Sequence, residues 1–128
     1  MLEFVEVRRI ADPLALIQDF TLGLVRREGP DLTARQLAMF LIVYREDALH
    51  TVRDLANRLD VHRADVTRSA DRLEELGLLK RERDPRDRRS VILTRTPAGL
   101  DLLDFMASLT GGSGKAIAAA TRRERSTA

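Results

Sequence analysis

The sequence predicts a mainly α-helical fold carrying one two-stranded β-hairpin, and three observations in its central third predict it. Between Arg63 and Leu76 the apolar residues Val66, Ala70, Leu73 and Leu76 recur at helical spacing. Arg63, Thr67, Arg68, Asp71 and Arg72 are left for the opposite face or its edges. Gly77 then stands where a helix ends on a left-handed residue, a conformation that a Cβ disfavours. From Leu78 to Glu82 apolar and charged residues alternate loosely, Val91 to Leu93 is β-branched and apolar, and the stretch Asp84 to Arg89 between them is charged and turn-like. Two short strands joined by such a loop make a hairpin. A helix, a hairpin and a further helix in this order are the parts of a winged helix-turn-helix.

Taken in order, the chain supplies the remaining elements. Met1 to Ile10 is ambiguous, because Phe4, Val5, Val7 and Ile10 suit either a short strand or a frayed helical turn. Asp12-Pro13 opens a helix by cap and first-turn chemistry, and Leu14, Ile17, Phe20 and Leu24 form its stripe. Leu16, Leu22 and Val25 add apolar groups elsewhere, more than one partner face needs, so this helix is either central or dimeric. Gly29-Pro30 ends it. Thr33-x-x-Gln36 is a capping box for a scaffold helix that runs to about Arg45 and is apolar on most sides. Thr51, with Asp54 three residues on, caps a short helix whose Leu55, Ala56 and Leu59 point inward. A turn at Asp60 and Val61 joins it to the Arg63–Leu76 helix. Thr96 and Pro97 are an N-cap and a first helical residue for a last helix, in which Leu100, Leu103 and Ala107 form one stripe and Leu102, Met106 and Leu109 another. Gly111-Gly112-Ser113-Gly114 breaks it, and Lys115 to Ala128 reads as either one alanine-rich helix or a disordered basic tail.

At 128 residues one domain is expected, spanning about 1–110. With no apolar run long enough to span a bilayer and nothing like a signal peptide, the expectation is a cytoplasmic protein. There is no cysteine, which removes disulfides, thiolate metal sites and a cysteine redox switch. The net charge is only +2, but residues 51–95 carry 12 basic and 9 acidic groups while residues 1–50 carry 6 and 8. Basic excess thus gathers around the helix and hairpin, as a nucleic-acid footprint requires. Nearly all of it is arginine, which suits bidentate contact with phosphate and guanine. No nucleophile elbow, P-loop or G-x-G-x-x-G is present, so no enzymatic constellation stands out and no cofactor is expected. His50 and His62, with Asp54, Asp60 or Asp65 as companions, are better read as solvated histidines than as a metal site.

The run V-T-R-x-x-D-x-L-E-x-x-G-L-L-x-R from Val66 to Arg81, then D-P-x-D-R-R-S from Asp84 and L-T-x-T-x-x-G from Leu93, resembles the multiple antibiotic resistance regulator (MarR) family of bacterial transcription factors. The resemblance is close from about Leu37 to Leu103. It implies a homodimeric, sequence-specific DNA-binding transcriptional regulator, by default a repressor, with a DNA-binding lobe over 33–96 and dimerisation helices over 12–28 and 97–110. The glycine-rich interruption after the last helix departs from the long C-terminal helices usual in such proteins. By resemblance, the recognition helix would bring Arg63, Asp65, Thr67, Arg68 and Arg72 to duplex DNA. Asp65 suits a helix N-terminus and can accept from cytosine N4, although it repels phosphate.

The wing would contribute Arg86, Asp87, Arg88 and Arg89, with Arg89 aligned to the arginine that enters a minor groove and Asp87 to the aspartate that orients it. A small-molecule effector pocket, if lined as in relatives, would use Phe20, Phe40 and Tyr44, for which core packing is the plainer reading. Two rivals remain: a winged-helix module that binds an acidic protein partner, and an architectural protein that binds DNA of any sequence.

Overall fold

The structure, a computed structural model, describes residues 12–111, so the expectations for Met1 to Ile10 and for Lys115 to Ala128 lie outside the described residues. Helix α1 (Pro13–Arg26) starts where Asp12 accepts from the Leu14 N–H at 3.0 Å. Helix α2 (Ala34–Arg45) has the expected reciprocal box: Thr33 Oγ1 accepts from the Gln36 N–H and Gln36 Oε1 from the Thr33 N–H. Strand β1 (His50–Thr51) leads directly into α3 (Val52–Leu59), capped by Thr51. Asp60, at φ 54°, makes the left-handed turn into α4 (Arg63–Glu75). Strands β2 (Leu79–Asp84) and β3 (Asp87–Arg95) form the hairpin, and α5 (Pro97–Leu109) follows under a Thr96 cap. No helix among the described residues is long and apolar enough to cross a membrane.

The expected two-stranded hairpin is present, and the sheet adds to it in two ways. A short third strand joins it, in the antiparallel order β1-β3-β2, because His50 and Thr51 pair with Leu93 and Ile92. Asp84 to Arg89 is also not a free loop, since the strands run on until only Pro85 and Arg86 remain as the turn. Neither turn residue has a positive φ, and proline pre-sets the φ that a second turn position needs. Register breaks just behind this tip: Arg83 pairs with Val91 but Asp84 with Asp87, so Arg88, Arg89 and Ser90 bulge from β3.

The core sits between α2, α4, α5 and the base of the sheet, with Met39, Phe40, Leu55, Val66, Leu73 and Leu79 almost fully enclosed. Burying a side chain of this size stabilises the fold by roughly 1.5–3 kcal/mol. At its centre Tyr44 stacks on Phe40, ring centroids 4.4 Å apart. The Tyr44 hydroxyl donates to the Leu78 carbonyl at 2.5 Å and accepts from the Thr96 N–H at 2.9 Å, tying α2 to the starts of β2 and α5. Phe40 and Tyr44 therefore belong to the core and not to a pocket wall. Arg95 closes the C-terminal end of α2, donating through Nε to the Val43 carbonyl at 2.8 Å and through Nη2 to that of Glu46 at 3.2 Å. Helix α1 differs from the rest in burying none of its residues fully. Its expected stripe divides, with Phe20 and Leu24 turned to the core while Leu14 and Ile17 stay exposed.

Candidate nucleic-acid interface

Helix α4 is built to present one face. Val66, Ser69, Ala70 and Leu73 are buried against the core, and Arg63, Thr67, Arg68, Asp71 and Arg72 are exposed as their spacing requires. Its end is fixed by a left-handed Gly77 at φ 72°, with the Leu78 N–H returning to the Leu73 carbonyl and the Gly77 N–H to that of Glu74, both at 2.9 Å. Thr96 Oγ1 donates to the Gly77 carbonyl at 2.7 Å, so the end of α4 is also held by the start of α5.

The charges on this face are already partnered, apart from Arg63. Arg68 pairs with Asp65 one turn earlier, and Arg72 with Glu75 at 3.1 Å. Among the described residues Arg63 forms no ion pair and Thr67 no side-chain hydrogen bond. Arg81, which the sequence shows only as the end of the Val66–Arg81 motif run, joins the wing to the helix: its Nη1 lies 2.6 Å from Asp71 Oδ1, and its backbone N–H and Nε reach Glu74 Oε2 at 3.1 and 3.3 Å. That guanidinium, with the Arg81 N–H behind it, holds the Glu74 carboxyl below its ordinary pKa. The sequence did hold a signal for this clamp, because a chain that reverses at Gly77 brings residue 81 back beside residue 74.

At the wing tip a different aspartate does most of the holding. Asp84 is buried and accepts from the Arg86 N–H at 2.9 Å and from the Arg86 guanidinium at 3.4 Å, contacts that lower its pKa in that order. Arg86 is thereby folded back onto the hairpin. Asp87 accepts from the backbone N–H of Arg89 at 3.0 Å, so it sets the main chain of Arg89 and leaves the guanidinium unengaged, whereas the expectation had it orient the side chain. Arg83 donates to the Arg88 carbonyl at 2.9 Å and braces the bulge. The side chains of Arg88 and Arg89 carry no ion pair among the described residues.

The remaining sequence candidates fall away from this surface. His50 Nε2 lies 2.8 Å from the Glu46 carbonyl, inside the molecule, while exposed His62 precedes α4 as its N-cap. Among the described residues no three potential ligands gather around a metal position. Phe20 lines a cavity of about 280 Å³ with Leu41, Arg45, Leu103, Met106, Ala107 and Thr110, without Phe40 or Tyr44.

A family model described as MarR family matches residues 31–90, which hold α2 to most of the wing. Comparison with curated protein sequences gives no match. Among solved structures the chain is similar to the transcriptional regulator BldR from Sulfolobus solfataricus, at 28% identity and TM-score 0.58 over 85% of this chain and 72% of that one. It is similar to MarR at 32% identity and TM-score 0.56, covering 61% of this chain and 52% of that one. AbfR, whose structure was solved bound to DNA, shares the fold at 24% identity and TM-score 0.59, covering 83% of this chain and 80% of that one. The motif run of Val66 to Gly99 stands on a helix, a hairpin and a capped last helix, and the lobe over residues 31–90 that carries most of it matches the MarR family.

Proposed function

We propose that this protein is a sequence-specific DNA-binding transcriptional regulator, a repressor that reads a pseudo-palindromic operator as a homodimer. The observation that carries the reading is the pairing of two arginine-bearing surfaces on one frame. The exposed face of α4 bears Arg63, Thr67, Arg68 and Arg72, and Arg81 clamps to it a wing whose Arg88 and Arg89 are unengaged. Helix α4 would enter a major groove, where arginine reads guanine bidentately. Arg89, standing on a bulge, would enter the flanking minor groove, most strongly where A·T-rich sequence narrows it. AbfR, with the same fold, is a precedent for carrying these elements on DNA.

The exposed apolar residues of α1, Leu14, Leu16, Ile17, Leu22 and Val25, support a second copy as partner. Two-fold symmetry would then set half-sites about 34–36 Å apart. A small effector would fit the cavity beside Phe20, with Arg45 at its wall as the partner for an anionic group. It would act only by favouring one spacing of the two recognition helices over another.

The test is selection of bound duplexes from a random pool, with the protein's mass in solution measured alongside. An enriched inverted repeat bound by a dimer is the expected result. A monomer that ignores duplex DNA would overturn the reading in favour of a partner-binding module. Tight binding without enrichment would overturn it in favour of an architectural protein.

A further inference from the structure

One acid among the arginines of this surface carries an inference that rests on the DNA-binding reading above. Asp65 is the third residue of α4, the position from which a carboxylate ordinarily reaches back to the N-cap N–H. Here its Oδ1 accepts from Arg68 Nη2 and lies 3.9 Å from Nη1 of Arg35, which stands in the first turn of α2. The Asp65 side chain is 19% exposed, against 70% for Arg68 and 45% for Arg35. A sheltered anion thus sits between two outward-reaching guanidiniums supplied by two elements. Carboxylate and phosphate compete for the same guanidinium donors.

We propose that Asp65 is the specificity-determining residue of this surface, an internal substitute for a DNA phosphate, and that Arg35 is a DNA-contacting residue which it holds in reserve. On DNA of arbitrary sequence, Arg35 and Arg68 reach the backbone only by leaving Asp65, whose bare carboxylate then faces a polyanion. The exchange gains little there. On the cognate site a base-edge donor, of which cytosine N4 is the fitting one, occupies Asp65 as the guanidiniums depart. Every group is then satisfied, and the acid penalises wrong sequences more than the right one.

The experiment titrates the full-length parent, Asp65→Asn, Asp65→Glu and Arg35→Gln onto two duplexes: the one the parent enriches from a random pool, and a scrambled duplex of the same composition. Salt is varied from about 50 to about 200 mM, over which phosphate contacts register as a slope. Asp65→Asn is expected to bind the scrambled duplex about three- to thirtyfold more tightly than the parent does, the scale of two exposed ion pairs. Its preference for the enriched duplex should fall. Asp65→Glu should keep the parent's discrimination. Arg35→Gln should weaken the enriched complex and flatten its salt slope by about 0.9, one phosphate contact, while changing the scrambled complex little. Because Arg35 lies on an exposed first turn, that variant remains decisive even if Asp65→Asn folds poorly.

The inference is overturned if a discriminating parent and a folded Asp65→Asn bind the scrambled duplex equally with equal slopes. It is overturned also if the substitution tightens both complexes alike, or if Arg35→Gln changes neither affinity nor slope. In each of these cases the DNA-binding reading stands. A parent without affinity for either duplex overturns that reading and this inference together.

Discussion

Tyr44 and Gly99 show how tightly single residues are set where α2 meets the starts of β2 and α5. A Cβ at position 99 would run into the Tyr44 hydroxyl and stand 2.6 Å from the Leu78 carbonyl, which is backbone and cannot swing away. Gly99→Ala is therefore expected to cost about 1–3 kcal/mol, the range for overfilling a packed site, although alanine is the better helix former. Tyr44→Phe should cost a similar amount, because it strands the Thr96 N–H and the Leu78 carbonyl. Urea unfolding of the two variants checks both, and a midpoint equal to the parent's in either would refute the account of that residue. On DNA the arginines should separate. Arg68→Ala should lose on the order of 1–3 kcal/mol of specific binding if it makes a good base contact. Arg89→Ala should weaken chiefly operators with A·T-rich flanks, and Arg86→Ala, whose guanidinium is spent on Asp84, should do so much less. Equal losses from Arg86 and Arg89 would sink the distinction. Residue chemistry was legible wherever it was local: the Thr33 and Gln36 box, the Thr96 cap and the left-handed Gly77 each follow from neighbours a few positions away. It was not legible where partners are distant, as with Arg95 on the carbonyls of Val43 and Glu46, or where two acids compete, as Asp84 and Asp87 do for the wing arginines.

Among elements, the joint between α4 and the wing matters most for function. It is made by Arg81 with Asp71 and Glu74, all at least partly exposed, so its direct worth to stability is small, under about 1 kcal/mol for each pair. On the proposed mode of DNA binding its worth is geometric: the wing would have to approach its groove at the angle α4 dictates. Arg81→Met is accordingly expected to leave the unfolding midpoint near the parent's while weakening operator binding at every flank sequence. A loss confined to stability would contradict this. The pH dependence follows from the same contacts. Glu74, Asp84 and Glu46 have folded pKa values below their ordinary ones, held there mainly by Arg81, Arg86 and Arg58. Carboxyls of this kind contribute stability that is complete above the unfolded value and disappears as the pH falls through the folded one. Stability should thus be level near neutrality and decline only below the usual carboxylate range. Arg81→Met should show a shallower decline, measured as urea midpoint against pH, and an unchanged slope would remove Glu74 from the account. The helices were legible from apolar period and caps. Strand β1 was not, since His50 and Thr51 owe their conformation to pairing with residues more than forty positions later, and the length of the hairpin strands was hidden because a charged β-ladder looks like a loop.

At the scale of the whole molecule, the lobe that carries α4 is closed and α1 is open. Leu14, Ile17 and Val25 are 70, 55 and 66% exposed, a concentration of apolar surface that α1 does not resolve by packing on α5 alone. Near the end of that helix pair Gly23 lies directly against Leu109, a close approach that a larger residue would spoil. The sequence showed the excess as apolar residues on more than one side of α1, but not which of them the core would take. Phe20 and Leu24 go inward and leave the others as a seam. If a second copy covers that seam, Ile17→Glu should yield a folded monomer, because the substituted side chain leaves no core contact behind. A monomer engages one half-site, so it forfeits the effective concentration that linkage gives the second, a loss of about a hundredfold or more in operator affinity. Light scattering for mass and a titration on the enriched inverted repeat measure the two halves of this expectation. A variant that stays dimeric with the parent's affinity would place the interface elsewhere. A monomer that binds the operator as tightly as the parent would mean that one lobe reads the whole site, and the two-fold account of recognition would fall with it.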